Sequence, residues 1–416
     1  MRNRIIKDQI KDRSEKDTGR IIVLTGARQT GKTTLARKVF GDYTYISIED
    51  PVLRSTYSAM NAGQWKSLYP RAILDEVQKE PSLIESIKSV YDQWEEPRYV
   101  LLGSSQLLLL QKVKESLAGR VSIYEIFPLT LPELSTHSWT DEVKKSLFTR
   151  LLTEDDLPEI LPSWLLDQEM PKKQSAWDHY NKYGGYPALC NDNLTEEERH
   201  SWLNNYVHTY LERDVRDLAN FRDLEPFIKL QKLLATNTST LFNASESARR
   251  IGLNSKTAQR YLQYFEMSYQ LFMLPAWAGN LNKRLSKMNK IHFMDYGVLQ
   301  AVLQKRGRMT GNEFESALVT EMYKQIKNYQ IRAEMFHLRT HDGKEVDLLI
   351  EQEDGFYAFE IKQSEKIDIS DARHLRGLES LLNKPLKKSF ILSADPRTQL
   401  FHDGNVIAVH FTMFLG

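Results

Sequence analysis

Between residues 21 and 135, short apolar runs alternate with segments whose apolar residues recur at helical spacing. This is the pattern of a parallel α/β sheet covered by crossover helices. The runs at 21–25 (IIVLT), 44–48 (TYISI), 72–74 (AIL) and 99–102 (YVLL) predict strands, and their near-unbroken apolarity predicts burial on both faces. Residues 136–220 are richer in helix formers and Trp, with an acidic stretch at 154–159, and predict a helical segment. Farther on, 245–251 predicts a short helix, Gly252 a turn and 255–267 a second helix, with Ala258, Tyr261, Leu262 and Phe265 at core-facing spacing. From 311 a helical pattern (GNEFESALVTEMYKQI) leads into strands around a turn at Asp354-Gly355. There is no internal repeat and no low-complexity segment.

The chain has 416 residues, more than one ordinary core, and three domains is the starting expectation. With 41% apolar and 27% charged residues it belongs with globular proteins, neither disordered nor membrane-like. The most apolar window, YVLLGSSQLLLL (99–110), is interrupted by polar and small residues and falls short of the roughly 20 that a spanning helix needs. The first seventeen residues alternate charges and lack the apolar stretch of a signal peptide. Cys190, the single cysteine, has no partner for an internal disulfide, which suits a reducing compartment and predicts a cytoplasmic protein without a membrane partner. Net charge is +1, yet residues 226–310 hold 13 Lys/Arg against three Asp/Glu, so positive charge is concentrated in one quarter of the chain.

Gly26-Ala27-Arg28-Gln29-Thr30-Gly31-Lys32-Thr33 satisfies G-x-x-x-x-G-K-[ST] between the strand IIVLT and the amphipathic helix TTLARKVF, which begins at Thr33-Thr34. The glycines let the backbone curl so that its N–H groups face phosphates at a helix N-terminus. Lys32 would reach the β- and γ-phosphates, and the Thr33 hydroxyl would ligate Mg²⁺, so ATP-Mg²⁺ is the expected ligand. Forty-three residues beyond Lys32 an apolar strand ends in Asp75-Glu76. In this context Asp75 is expected to hold Mg²⁺ through water and Glu76 to polarise the attacking water. The next strand ends at Gly103-Ser104-Ser105, where Ser104 is a candidate γ-phosphate sensor or simply a polar strand end. Arg120, after Ala118-Gly119, is either an arginine finger for a neighbouring subunit, implying a homo-oligomer, or an ordinary surface arginine. Gly184-Gly185-Tyr186-Pro187 either closes on the adenine through Pro187 or punctuates two helices.

Taken together, GARQTGKTTLA, LDEVQKEPSL, LLGSSQ, SLAGR and GGYPAL resemble the prokaryotic AAA-like ATPases that carry a C-terminal domain of unknown function called DUF4143. The resemblance continues through YLERDV (210–215), FMDYGVL (293–299) and GKEVDLLI…FEIKQS (343–364), nearly the whole chain. It implies a multidomain α/β protein: a P-loop NTPase core with a parallel sheet (1–135), a helical lid (136–221), a winged helix-turn-helix segment (222–310) and an α+β restriction-endonuclease-like domain (311–416).

The residues speak to the last two parts independently. On the helix 255–267 the face opposite the core presents Lys256, Gln259, Arg260 and Gln263, types that contact phosphates and base edges. With the excess positive charge this favours DNA; the competing reading is a packing unit with a solvated lysine face. In the C-terminal segment, Glu315 on the helix, Asp347 in EVDLLI and Glu360-Ile361-Lys362 in FYAFEIK resemble the PD-(D/E)XK nuclease constellation. Residues two apart on a strand share a face, so Glu360 and Lys362 project together. Asp347 and Glu360 would then share Mg²⁺ or Mn²⁺, Lys362 would position water, and Glu315 would complete the metal site. A charged sheet edge, or a domain of this fold that binds DNA without cutting it, is the alternative. The sequence thus predicts an ATP-hydrolysing DNA-processing protein. A ring-forming motor on branched or broken DNA, a nucleotide-gated signalling or defence switch, and an ATPase whose basic segment binds protein stand beside it.

Overall fold

Ile21–Thr25 (β1) is apolar along its whole length and buried at every position, which places it inside a sheet covered on both faces. In the computed structural model, which describes residues 1–103, 116–154, 161, 163–218 and 223–416, β1 lies between Arg98–Leu102 (β4) and Val121–Glu125 (β5). Thr44–Ser47 (β2) and Arg71–Asp75 (β3) complete an all-parallel sheet ordered β2-β3-β4-β1-β5. The strand β5 is an addition to the sequence expectation. Its residues, VSIYE, are mostly half-buried at a sheet edge, so the segment lacks the apolar run that marks its neighbours. The Ser82–Gln93 helix seals one face by burying Leu83, Ile84, Ile87 and Val90. The register pairs Ser47 with Asp75 and Thr25 with Glu125, so all five strands end on one side, where the crevice of an open α/β sheet forms.

The middle of the chain is helical as expected: Leu147–Thr153, Met170–Tyr183 and Glu196–Leu218. Next come Glu225–Thr236, Ala244–Ile251 and Ser255–Met267, then the antiparallel pair Leu271–Leu274 (β6) and Lys290–Phe293 (β7), to which Leu241 adds a bridge at Lys290. Asn243 and Asn254 cap the second and third helices by accepting from the Glu246 and Thr257 backbone N–H groups, and Gly252 takes the left-handed turn between them. The Ala258, Tyr261, Leu262 and Phe265 face is buried, with Phe265 stacked on Phe227 at 4.1 Å.

The Gly311–Asn328 helix packs on a six-stranded mixed sheet. Its strands are Glu334–Arg339 (β8), Glu345–Glu351 (β9), Phe356–Lys362 (β10), Leu386–Ser393 (β11), Gln399–Phe401 (β12) and Val406–His410 (β13), in the order β12-β13-β11-β10-β9-β8. One apolar cluster runs without a break from Phe127 through Tyr180 and Phe265 to Phe359 and Leu415, so the middle helices and the C-terminal sheet share a core. Among the described residues no helix is long and apolar enough to cross a membrane.

Candidate functional site

At the C-terminal end of β1 the chain turns through Gly26 (φ 138°) and Gly31 (φ 87°), conformations open to glycine and strained for other residues. Gly31 opens the Lys32–Val39 helix, so the helix's unbonded N–H groups point into a cavity of ≈ 1190 Å³ lined by Arg28 to Thr34, Asp75, Glu76 and Pro187. Lys32, 8% exposed, donates to the Gly26 and Ala27 carbonyls at 2.9 and 2.7 Å, holding its ammonium inside the loop.

Thr33 Oγ1 donates to Asp75 Oδ2 at 2.7 Å, which joins the two expected Mg²⁺ ligands across the gap between loop and β3. Such a hydroxyl–carboxylate pair at a helix N-terminus fits ATP-Mg²⁺, with Thr33 and Asp75 on the metal and Lys32 on the phosphates. Tyr45 also donates to Asp75 Oδ2, at 2.8 Å, and burial together with that bond pushes the Tyr45 phenol up to about 12. Glu76 follows in a left-handed conformation (φ 59°), strained for a non-glycine residue. Its Oε2 accepts from the Gln78 amide at 2.5 Å. Arg4, 3% exposed, braces the loop from the N-terminus by donating to Thr30 O at 2.9 Å and Phe127 O at 2.7 Å and pairing with Glu133 at 3.0 Å. No sequence motif marks Tyr45 or Arg4, and Gln78 lies within LDEVQKEPSL without a role assigned to it.

Pro187 lines the cavity, and a Cβ built on Gly31 would lie 3.9 Å from its Cγ. The turn that presents it is anchored from below. Asp295 accepts from Gly185 N–H at 2.7 Å and caps the Tyr296–Leu303 helix through Val298 N–H at 3.2 Å, while Gly185 O accepts from Leu129 N–H at 2.7 Å. Ser104 lies outside the described residues. Arg120 immediately precedes β5, at the end of the sheet opposite the P-loop, and pairs with Asp92 at 2.7 Å. The structure does not bring it to this chain's nucleotide cavity.

In the C-terminal domain Glu315, Asp347, Glu360 and Lys362 do converge. Lys362 Nζ bonds Glu360 Oε1 at 2.8 Å, and Asp347 Oδ2 accepts from Ile361 N–H at 2.8 Å. Burial and the neighbouring Asp347 charge raise the pKa of both Glu315 and Glu360 above the usual carboxylate range. A residue the sequence reading passed over enters the expected metal arrangement. Lys290, the first residue of β7 and 3% exposed, puts its ammonium 2.9 Å from Glu315, 3.1 Å from Glu345 and 3.8 Å from Asp347. Burial opposes that charge, but the three carboxylates outweigh it and hold the Lys290 pKa above its ordinary value. Among the described residues no group of three or more His, Cys, Asp or Glu side chains is arranged to hold a metal ion. As arranged, these residues do not fit Mg²⁺ or Mn²⁺. Glu345 was legible in principle, since it lies two residues before Asp347 on the same strand face.

Lys256, Gln259 and Arg260 are exposed on the Ser255–Met267 helix, as their spacing predicts. The charge count around them is modified by the fold. Arg284, Lys290, Lys305 and Arg306 pair with Glu351, Glu315, Glu313 and Glu197, all outside 226–310, so part of the excess is neutralised internally.

Residues 18–135 match the family model described as an AAA domain, 174–308 that of DUF8612 and 310–413 that of DUF4143, both domains of unknown function. An uncharacterized protein of Mycobacterium tuberculosis is 27% identical over 360 residues, covering 84% of this chain and 72% of its own length. One of Methanocaldococcus jannaschii is 26% identical over 336 residues, covering 73% and 66%. Among solved structures, a Walker-type ATPase of Pyrococcus abyssi is similar at 13% identity with a TM-score of 0.45, covering 73% of this chain and 99% of that one.

Proposed function

We propose, from the premise that this chain joins an AAA domain to a C-terminal DUF4143 domain, that it hydrolyses ATP and uses its nucleotide state to govern DNA binding by the 225–293 unit. The P-loop fold supports binding and hydrolysis of ATP. The observation that carries the reading is the 2.7 Å Thr33–Asp75 bond beside Glu76, which supports Thr33 and Asp75 as metal ligands and Glu76 as the base around one loop. Lys32 would meet the phosphates as a point charge, and the Mg²⁺ held by Thr33 and Asp75 would neutralise charge on the β- and γ-oxygens. Glu76, oriented by Gln78 and by its fixed backbone, would take the proton of the attacking water.

For DNA, the support is the arrangement of three helices, the second and third capped by Asn243 and Asn254, and a β-pair, which resembles a winged helix-turn-helix, with Lys256, Gln259 and Arg260 on the outer face of the third helix. The test is the ATPase rate with and without single-stranded, duplex and branched DNA. Stimulation or inhibition by any of them supports the coupling; an ATPase indifferent to all three, from a protein that binds none, transfers the basic face to a protein partner.

A second reading, the nucleotide-gated switch, is favoured by Pro187 over the P-loop and by the anchoring of its turn to Asp295 in another segment of the chain. Slow turnover and tightly retained ADP in the purified protein would support it, and fast multiple turnover would remove it. Metal-dependent cleavage by Asp347, Glu360 and Lys362 enters neither reading, because the cluster in this arrangement does not fit a metal.

A further inference from the structure

We propose that the Lys290 ammonium is a tethered substitute for a divalent cation: it fills the carboxylate cluster of Glu315, Glu345 and Asp347, and removing it converts the cluster into a divalent-cation site. Three observations carry this. First, the ammonium is almost completely removed from water yet makes three carboxylate contacts between 2.9 and 3.8 Å, from a helix (Glu315) and a strand (Glu345, Asp347). A buried cation in such a position is held by convergent negative charge. Second, the charge comes from outside the domain that supplies the carboxylates. Lys290 opens β7, pairs with Leu274 and bridges Leu241, and so belongs to the helix–strand unit that precedes the Gly311–Asn328 helix. The lysine that ends β10, Lys362, is engaged on Glu360 Oε1.

Third, the cluster holds more acceptor capacity than Lys290 satisfies. Glu360 is 4% exposed and its Oε2 has no hydrogen-bond partner, although Asp347 and Glu315 are among the charges it feels. A buried carboxylate oxygen without a donor is costly and rare in folded proteins. Glu315, Glu345, Asp347 and Glu360 are faced by two ammoniums, Lys290 and Lys362, and one buried carboxylate oxygen is still left without a donor. Carboxylate oxygens are the ligand type of Mg²⁺, Mn²⁺ and Ca²⁺, and with Lys290 in place they are not arranged as such a site. Lys290 therefore keeps such ions out while it stays in place, and the strand that carries it is continuous with Asp295, five residues on.

The test uses full-length protein without nucleotide and MnCl₂ as the probe, with bound Mn²⁺ counted by electron paramagnetic resonance. The site in question is the binding that Asp347→Asn abolishes, which separates it from the Thr33–Asp75 pocket. Lys290→Met, which keeps the aliphatic stem and loses the charge, should bind one such Mn²⁺ at least tenfold more tightly than the wild type. Mn²⁺ should also raise its melting temperature, a gain that a merely space-filling lysine would not produce, whereas Lys290→Arg should behave as wild type. Equal Asp347-dependent binding in wild type and Lys290→Met overturns the proposal, as does Lys290→Met without Mn²⁺ binding. Should Lys290→Met fail to fold, refolding with and without MnCl₂ decides the matter: recovery only with Mn²⁺ supports the proposal, and no difference overturns it. DNA cleavage is not the readout. A Lys290→Met protein that binds Mn²⁺ and leaves DNA intact counts against a nuclease and leaves the substitution of Lys290 for a cation standing.

Discussion

Gly184→Ala tests whether the Pro187 turn is held by Asp295 or merely lies near it. Gly184 has φ 76° and ψ −163°, a region open in practice to glycine alone, and forcing alanine there costs about 1–3 kcal/mol. The new Cβ would also lie 2.0 Å from Asp295 Oδ1 and 2.7 Å from its Cγ, so the carboxylate must move. It moves at the expense of its bonds. Releasing the Tyr296–Leu303 cap costs about 1 kcal/mol, and leaving Gly185 N–H buried without an acceptor costs about 1–3 kcal/mol more. The total is about 3–7 kcal/mol, concentrated at the turn that carries Pro187 to the P-loop. If about 1.4 kcal/mol of it falls on closure of the pocket, affinity for a fluorescent ATP analogue drops tenfold. The control is Gly119→Ala, with φ 77° but nothing within 4 Å of the built Cβ, which isolates backbone strain. Melting curves and nucleotide titrations of both variants make the comparison. A Gly184→Ala protein no less stable than Gly119→Ala, with unchanged nucleotide affinity, would refute the anchoring argument.

Lys32→Ala should reduce ATP binding to background in equilibrium dialysis, because it removes the point charge inside the loop, whereas Glu76→Gln should retain ATP and lose phosphate release; unchanged turnover in Glu76→Gln takes Glu76 out of the mechanism. Lys256→Glu with Arg260→Glu should weaken duplex binding measured by fluorescence anisotropy, and wild-type affinity should fall with salt at a log–log slope of about 0.9 per phosphate contact; salt-independent binding contradicts the assignment. The pH dependence follows from Glu360, whose folded pKa is raised to about 8 by burial and by Asp347. A carboxyl with a raised folded pKa contributes stability that is full below its unfolded value and lost as pH rises through the folded one. The melting temperature should therefore decline between about pH 5 and 8, and Glu360→Gln should flatten that decline. An equal slope in wild type and variant would assign it to other groups.

The candidate nucleotide site was legible because its parts are consecutive or end an apolar strand: Gly26 to Thr33 in one run, Asp75-Glu76 after AIL. Tyr45 and Gln78 were not, since a tyrosine in a strand and a glutamine in a turn acquire meaning only when β2 and the following turn are set beside Asp75. Missing β5 had a direct consequence. Once 121–125 is a strand parallel to β1, the residue before it must lie at the N-terminal end of the sheet, away from the loop at the C-terminal end. Arg120 therefore lies away from its own chain's loop, a position that does not bear on a finger offered to a neighbouring subunit; β5 itself escaped the sequence reading because its residues are half-buried rather than an apolar run. The basic quarter was overcounted for a related reason. Composition sees the lysines and arginines of 226–310 but not Glu197, Glu313, Glu315 and Glu351, which come from other segments to meet four of them.

The position of Lys290 is the largest departure from the sequence reading, and its cause is general. Glu-x-Lys and Asp on neighbouring strands report that negative charge converges; they do not report what neutralises it. A metal ion and a lysine 25 residues upstream of Glu315 are equivalent answers to that electrostatic demand, and only the packing of β7 against the C-terminal domain distinguishes them. That packing reaches the ATPase core as well. The Gly311–Asn328 helix carries Glu315 in the cluster and, nine residues or about 13 Å along it, Lys324, fully buried and donating to Leu129 O at 3.2 Å. Leu129 in turn bonds Gly185 in the Pro187 turn. One rigid helix thus has its first half at the carboxylates and its second half against the nucleotide pocket's own wall. The continuous apolar cluster around it leaves little room for either end to move alone.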